Sequence, residues 1–205
     1  MNNLTVIDLI KQKYLNNNKD DVLTHVEDVA EIAVGLAKAY NLDVTKTKLA
    51  ALLHDISGVM TPQEMYDFAI ARGLEIDPAE EKYHALLHQR VSKIIAQDEF
   101  GITDSDILNA IECHTTLRKN ASLYDKVIFI ADKISWDQKF APLFDDLIKN
   151  ATIESLNKAC YSYIKYQFDN NLLVMAHKWL IDAFDELKMN ILNLRIQQRI
   201  TYDAF

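Results

Sequence analysis

The stretch LAALLHDISG at residues 49–58 decides how the rest of the chain is read. Leu49, Leu52, Leu53 and Ile56 recur at helical spacing, so the segment reads as a helix with an apolar face. Ser57-Gly58 is a fitting stop for it. His54 and Asp55 stand side by side at that end. Neighbouring side chains on a helix diverge by about 100°. One ion held by both therefore needs the looser geometry of a helix end. A carboxylate at such a place can also bridge, binding one ion with each oxygen.

Working outward, the chain has six histidines, and His25, His54, His84, His88 and His114 form a widely spaced series with Asp132 beyond it. Each falls in an apolar helical pattern. His25 shares a stripe with Val29, Ile32 and Leu36 and should point inward. Asp132 follows Ile128 and Phe129, and an inward carboxylate there needs a partner because an unpaired buried charge is costly. Asp77-Pro78-Ala79-Glu80 is a helix start signal, and the helix it opens is expected to run to about Phe100, with Gly101 as its stop. His84 and His88, four apart, would share a face of it. His114 closes a helix that Thr103 to Asp106 caps, and Thr115-Thr116 follow. Ser122 to Asp125 caps the helix of Asp132.

Any one of these histidines alone is more commonly a hydrogen-bonded core residue. The ordered set is different, because its members occupy the ends or inner faces of separate expected helices. Two ligand sets emerge. His25, His54, Asp55 and Asp132 could hold one ion; Asp55, His88 and His114 could hold a second. His84 and Thr115 would stand beside the site in support. Mixed imidazole and carboxylate donors suit iron, manganese or zinc. Two ions about 4 Å apart would activate water and neutralise charge on a phosphoryl group. His177 lies outside the series and reads as surface or core.

The remaining pattern is helical nearly throughout, so the expected fold class is all-α. Only 4 Gly and 3 Pro occur among 205 residues, which leaves few turn signals and favours long helices. Leu4, Ile7, Ile10 and Leu15 mark a leading helix, and Thr61-Pro62-Gln63-Glu64 starts another that Gly73 stops. Further stripes are Leu143, Phe144, Leu147 and Ile148, then Leu156, Tyr161, Ile164 and Phe168, then Leu180, Phe184, Leu187 and Ile191. The expectation is one domain over 1–205: a metal-binding core at about 22–140, a helical C-terminal part at 141–190 and a tail at 191–205.

The net charge of -8 argues against a nucleic-acid polymer as partner, since nonspecific binding needs basic surface. It leaves room for a nucleotide, whose charge metal ions would offset. Cys113 and Cys160 form no zinc-type pair, which fits a reducing, cytoplasmic setting. The N-terminus does not read as a signal peptide, and no stretch approaches the roughly 20 apolar residues that span a bilayer. Tyr161, Tyr163, Tyr166 and Phe168 would serve either a homodimer contact or the core.

The ordered series resembles the HD-domain superfamily of metal-dependent phosphohydrolases, and more closely the YqeK-like family of symmetrical diadenosine tetraphosphate hydrolases. The matching strings are HVEDVAEIAVGLAKAYN from His25, LAALLHDIS from Leu49, HALLHQ from His84, AIECHTTLR from Ala110 and VIFIADKI from Val127. They cover about Leu23 to Gln138, and more loosely the chain on to Leu187. The resemblance implies an HD-type helical bundle with a C-terminal helical extension. It implies a two-metal centre, commonly iron, held by His25, His54, Asp55, His88, His114 and Asp132. It also implies cleavage of a central phosphoanhydride to two nucleoside diphosphates. Against the family's usual pattern, Val22 and Gly58 stand where basic residues are customary, Gln89 replaces a Gly, and Gln138 replaces an Arg.

The leading expectation is therefore metal-assisted hydrolysis of a nucleotide phosphoanhydride or phosphoester. Asp55 would bridge the ions and orient the nucleophile. Arg118 would stabilise charge on a phosphate, Lys133 would assist, and Trp136 is a candidate to stack a base. The alternatives are hydrolysis of another nucleotide, a metal-containing nucleotide-binding or regulatory module with little turnover, and a helical interaction protein whose His and Asp are structural.

Overall fold

The computed structural model of the protein describes residues 5–135 and 146–202. Among these residues every regular element is helical. The chain begins with α1 (Val6–Asn16), α2 (Asp20–Ala39) and α3 (Val44–Leu53). Thr5 caps α1 in a reciprocal capping box with Asp8, and Asp43 caps α3. Both satisfy backbone N–H groups that a helix start leaves open. Asn18 and Asn41, at φ of 55°, turn the chain after α1 and α2, a left-handed conformation that Asn tolerates better than most residues.

α3 is the centre of the bundle. Thr47, Ala50, Ala51, Leu52 and Leu53 are all buried, so the helix is enclosed on more than one face. It packs against α2, which contributes the small residues Ala30, Ala33 and Ala37. α2 also packs against α8 (Leu123–Ser135), and α7 (Ser105–Glu112) closes the group against α3 and α8. Tyr14 of α1 is fully buried and donates its hydroxyl to Leu52 O at 3.2 Å, tying the leading helix to the central one.

α4 (Pro62–Ala71) starts where Thr61 and Glu64 form a capping box and ends near Gly73 at φ 68°. The continuous helix expected from Asp77 to Phe100 is not what forms. The start signal is real, with Asp77 and Glu80 capping each other, but α5 covers only Pro78–Lys82. Tyr83 leaves helical geometry at φ -133° and ψ 84°; a 3-10 turn, His84–Leu87, follows, and then α6, His88–Phe100. The reason is tertiary. Arg90 Nη1 reaches back to Glu75 O at 2.8 Å and to the fully buried Glu80 Oε2 at 2.7 Å, a contact that folds the start of α6 over α5. His84 and His88 therefore do not share a helix face.

The C-terminal pair is α9 (Leu156–Asp169) and α10 (Lys178–Tyr202). α9 packs on α8, with Phe129 meeting Tyr163 edge to face at 5.7 Å. Tyr161 stacks on Phe184 at 5.4 Å, and Phe168 meets the same ring at 5.0 Å. These aromatics join α9 to α10 within one chain. His177 is buried too, its Nε2 3.5 Å from Glu80 Oε1. No helix among the described residues is long and apolar enough to cross a membrane. Leu4, Trp136, Gln138, Leu143 and Phe144 lie outside the described residues.

Phe129 is fully buried one turn before Asp132. Phe129→Ala should cost about 3–5 kcal/mol. Urea unfolding would show this as a lower midpoint with an unchanged slope; a loss below about 1 kcal/mol would contradict the packing described.

Candidate metal centre

The local structure at residues 53–58 places two adjacent side chains on one point. α3 ends at Leu53. His54 keeps a helical backbone, at φ -59° and ψ -34°, but Asp55 departs to φ -110° and ψ 22° and opens a 3-10 turn, Ile56–Val59. The helix thus ends before Ser57-Gly58, and the departure at Asp55 turns its carboxylate toward the ring of His54. Ser57 then pins the turn to α6. Its Oγ donates to His88 O at 2.9 Å, and its N–H donates to Ser92 Oγ at 3.1 Å.

Four imidazoles surround Asp55. On its Oδ2 side lie His54 Nε2 at 3.5 Å and His25 Nε2 at 3.9 Å. On its Oδ1 side lie His114 Nε2 at 3.3 Å and His88 Nε2 at 3.5 Å. Asp132 Oδ1 is 3.2 Å from His25 Nε2 and 3.9 Å from His54 Nε2. Three triads have one donor atom each within 4.8 Å of the others: His25, His54 and Asp55; His54, His114 and Asp132; Asp55, His88 and His114.

The hydrogen bonds behind the rings fix their tautomers. His54 Nδ1 lies 2.7 Å from Ala51 O, His88 Nδ1 2.6 Å from Ala85 O, and His114 Nδ1 2.9 Å from Ile111 O. A carbonyl only accepts, so each Nδ1 carries a hydrogen, and in the neutral form of the ring the Nε2 then presents a lone pair. These lone pairs all aim at Asp55. His88 Nε2 and His114 Nε2 stand 2.9 Å apart, and His54 Nε2 and Asp55 Oδ1 are buried without any hydrogen-bond partner.

The charge states sharpen the problem. Burial, with His54 and His88 nearby, pushes the His114 pKa down to about 4 despite Asp55, so the ring is neutral at pH 7. Burial raises the Asp55 pKa, but the charge and hydrogen bonding that His54, His114 and His88 offer when protonated outweigh it and hold the group well below the usual carboxylate range. Burial likewise opposes ionisation of Asp132, yet Lys133 and the hydrogen bond from His25 keep it an anion. Lone pairs and carboxylate oxygens crowded in this way repel one another unless a cation sits among them. The donor set therefore fits metal binding, and the clustered His and Asp residues form candidate sites for one or two divalent ions.

A cavity of about 560 Å³ opens on this cluster. Val22, Gly58, Met65 and Ala85 give it an uncharged wall, while Thr115 and Lys133 lie among the polar residues. Thr115 Oγ1 is 2.9 Å from His88 Nε2. Met65 and Ala85 are wall residues that the sequence did not single out, because nothing in their type or spacing marks them. His84 does not reach the cluster; it stacks on Tyr66 at 4.0 Å. Arg118 does not line the cavity. Its Nε and Nη2 donate to Asp125 Oδ2 at 3.3 and 3.1 Å, and its Nη1 to Glu112 Oε2 at 3.3 Å. Two carboxylates at the ends of α7 and α8 thus claim the side chain expected to meet a phosphate.

His25 carries a prediction. The hydrogen bond to Asp132 raises its pKa above 6.5, more than burial lowers it. A raised pKa means that Nε2 still holds part of a proton at pH 7, and a cation must displace it. Metal affinity should therefore fall as pH drops through this range. Calorimetric titration of metal-free protein at pH 7 in buffers of different ionisation enthalpy should give different heats. Identical heats would contradict the protonated His25.

The comparisons with known proteins agree with this geometry. Residues 22–137 match the family model described as "HD domain". A Lactococcus lactis subsp. cremoris protein, described as an uncharacterised protein in the pepC 5' region, is 37% identical over 153 residues, covering 74% of this chain and 78% of its own. The symmetrical bis(5'-nucleosyl)-tetraphosphatase of Bacillus subtilis is 36% identical over 143 residues, covering 69% of this chain and 74% of its own. The crystal structure of a predicted HD superfamily hydrolase involved in NAD metabolism from Clostridium acetobutylicum superposes with a TM-score of 0.81 at 33% identity, covering 89% of this chain and 97% of the other. With an HD match from α2 through α8 and a carboxylate ringed by four imidazoles where that match lies, the chain belongs to the HD-domain superfamily of metal-dependent phosphohydrolases, related to the symmetrical tetraphosphatases.

Proposed function

We propose that the protein hydrolyses a dinucleoside tetraphosphate at its centre, giving two nucleoside diphosphates. The observation that carries the two-ion part of this reading is Asp55, whose two oxygens face separate imidazole pairs. His25, His54, Asp55 and Asp132 would hold one ion, and Asp55, His88 and His114 the other. Iron is the metal that the family resemblance favours; manganese and zinc suit the same donors. Bound cations supply Lewis-acid charge for phosphoryl oxygens and draw a nucleophile from water at neutral pH. The tetraphosphate substrate is supported by the named activity of the Bacillus subtilis relative.

The chain's own residues do the rest. Asp55 sets the spacing of the two donor sets. Burial lowers the Lys133 pKa, but Asp132, with Nζ at 2.6 Å from its Oδ2, raises it more. Lys133 thus stays cationic beside the cavity, where it would face a phosphate that is not transferred. The Thr115 hydroxyl, 2.9 Å from His88 Nε2, would donate to a phosphoryl oxygen once an ion took that nitrogen. Arg118 would act at one remove, by bracing Glu112 and Asp125 rather than by touching substrate.

A second reading, hydrolysis of a nucleotide with a shorter phosphate chain, is favoured by one feature. Val22 and Gly58 lie together in the cavity wall, a Cβ at Gly58 falling 3.5 Å from Val22 Cγ1. Neither offers a charge to a distal phosphate. A nucleotide-binding module with little turnover would use the same wall.

A nucleotide panel assayed with iron, manganese or zinc tests these readings. Diadenosine tetraphosphate should give ADP alone, and Asp55→Ala or His54→Ala should lower kcat more than about a hundredfold, beyond the usual cost of losing an outer partner of a metal ligand. Activity retained in both variants would remove the metal mechanism. AMP with ATP as products would remove symmetrical cleavage, and turnover of another nucleotide only would select the second reading.

A further inference from the structure

Gln89 follows His88 at the start of α6 and is fully buried. A buried amide needs partners for its carbonyl and its NH2 group. Gln89 finds them on the turn that carries His114. Its Oε1 accepts from the backbone N–H of Thr115 at 3.1 Å and of Thr116 at 3.2 Å, and its Nε2 donates to Thr116 Oγ1 at 3.1 Å. Thr116 Oγ1 passes its own proton to Leu117 O at 3.0 Å. The amide thus satisfies two consecutive N–H groups of the turn that follows α7, which ends at Glu112.

The turn itself is constrained. Leu117 closes it, its N–H donating to Cys113 O at 2.7 Å. Leu117 is also fully buried and sits at φ 56°, a left-handed conformation that bulky side chains rarely adopt. Backbone held in such a region persists only where its surroundings enforce it. Within the same turn His114 Nε2 comes to 2.9 Å from His88 Nε2, and Thr115 Oγ1 to the same distance from that nitrogen.

Resting on the two-ion reading above, we propose that Gln89 is a positioning residue for the second ion: it clamps the strained Cys113–Leu117 turn so that His114 converges on its own sequence neighbour His88. The donors assigned to the first ion alone, His25 on α2, His54 after α3 and Asp132 on α8, share no hydrogen bond with Gln89; His54 meets the clamped turn only through the edge of the His114 ring, at 4.6 Å. The hydrogen bonds of Gln89 thus act directly on the turn that carries His114 and reach the first donor set only through His114 and Asp55, so its loss should fall mainly on the second ion.

The experiment titrates Mn(II) into metal-free wild type, Gln89→Leu and Gln89→Glu. Equilibrium dialysis counts the ions, and electron paramagnetic resonance reads the coupling between two neighbouring Mn(II). Wild type should bind two ions with a coupled signal. Gln89→Leu should keep the first ion at unchanged affinity, bind the second roughly 10–100-fold more weakly and lose the coupling. Gln89→Glu, whose carboxylate still accepts both backbone N–H groups, should recover the second ion. Wild-type affinity for both ions in Gln89→Leu would overturn the proposal. Equal loss in Gln89→Leu and Gln89→Glu, or loss of both ions together from a folded Gln89→Leu, would overturn it too. Should Gln89→Leu not fold, Thr116→Val removes the hydroxyl that receives Nε2, and unchanged second-ion affinity there would overturn the proposal. A wild type that binds no Mn(II) would instead sink the metal reading beneath it.

Discussion

The crowding of lone pairs around Asp55 is the constraint on which the rest of the structure depends. Backbone carbonyls of Ala51, Ala85 and Ile111 hold three Nδ1 hydrogens, so three Nε2 atoms point inward with nothing to donate. Facing nitrogens at 2.9 Å and a buried carboxylate oxygen with no hydrogen bond form an arrangement that favours a cation. A protein interior normally pairs its buried polar atoms, and unpaired ones raise the free energy of the metal-free fold. The bundle tolerates this because the donor side chains are carried by well-packed helices. α3, which presents His54 and Asp55, is enclosed by α2, α7 and α8.

Each anchoring carbonyl comes from the residue three before its histidine, and each histidine sits where regular helix ends or begins. His54 follows α3, His88 opens α6 and His114 lies two residues past α7. At such places a ring can fold back on the preceding turn. Hydrogen bonds from Ser57 to His88 O, from Ser57 N–H to Ser92 and from the turn to Gln89 then join these ends to one another. Helix termini, which have backbone groups to spare, are stitched together here by the buried polar side chains of Ser57, Ser92 and Gln89.

Much of this was legible in the sequence, for identifiable reasons. Histidine and aspartate on apolar stripes are conspicuous, and helical phase puts His25 and Asp132 inward without knowledge of the fold. Start signals at Thr61 and at Ser122 with Asp125 formed as expected because capping is local, satisfied within three residues. The break at Tyr83 was not legible, since it follows from Arg90 meeting Glu80 across the bend. The surroundings of Arg118 were not legible for a similar reason: the sequence shows its charge but not that Glu112 and Asp125 close around it. Gln89 was visible only as an unusual residue after His88; its role depends on a turn more than twenty positions away, which no local pattern encodes.

The most direct test of the central claim is anomalous diffraction from crystals soaked in manganese. Two peaks on opposite sides of the Asp55 carboxylate are predicted, one near His25, His54 and Asp132 and the other near His88 and His114. No peak at Asp55 in crystals whose soak saturates other weak sites, with the His88 and His114 nitrogens still facing each other, would contradict the account.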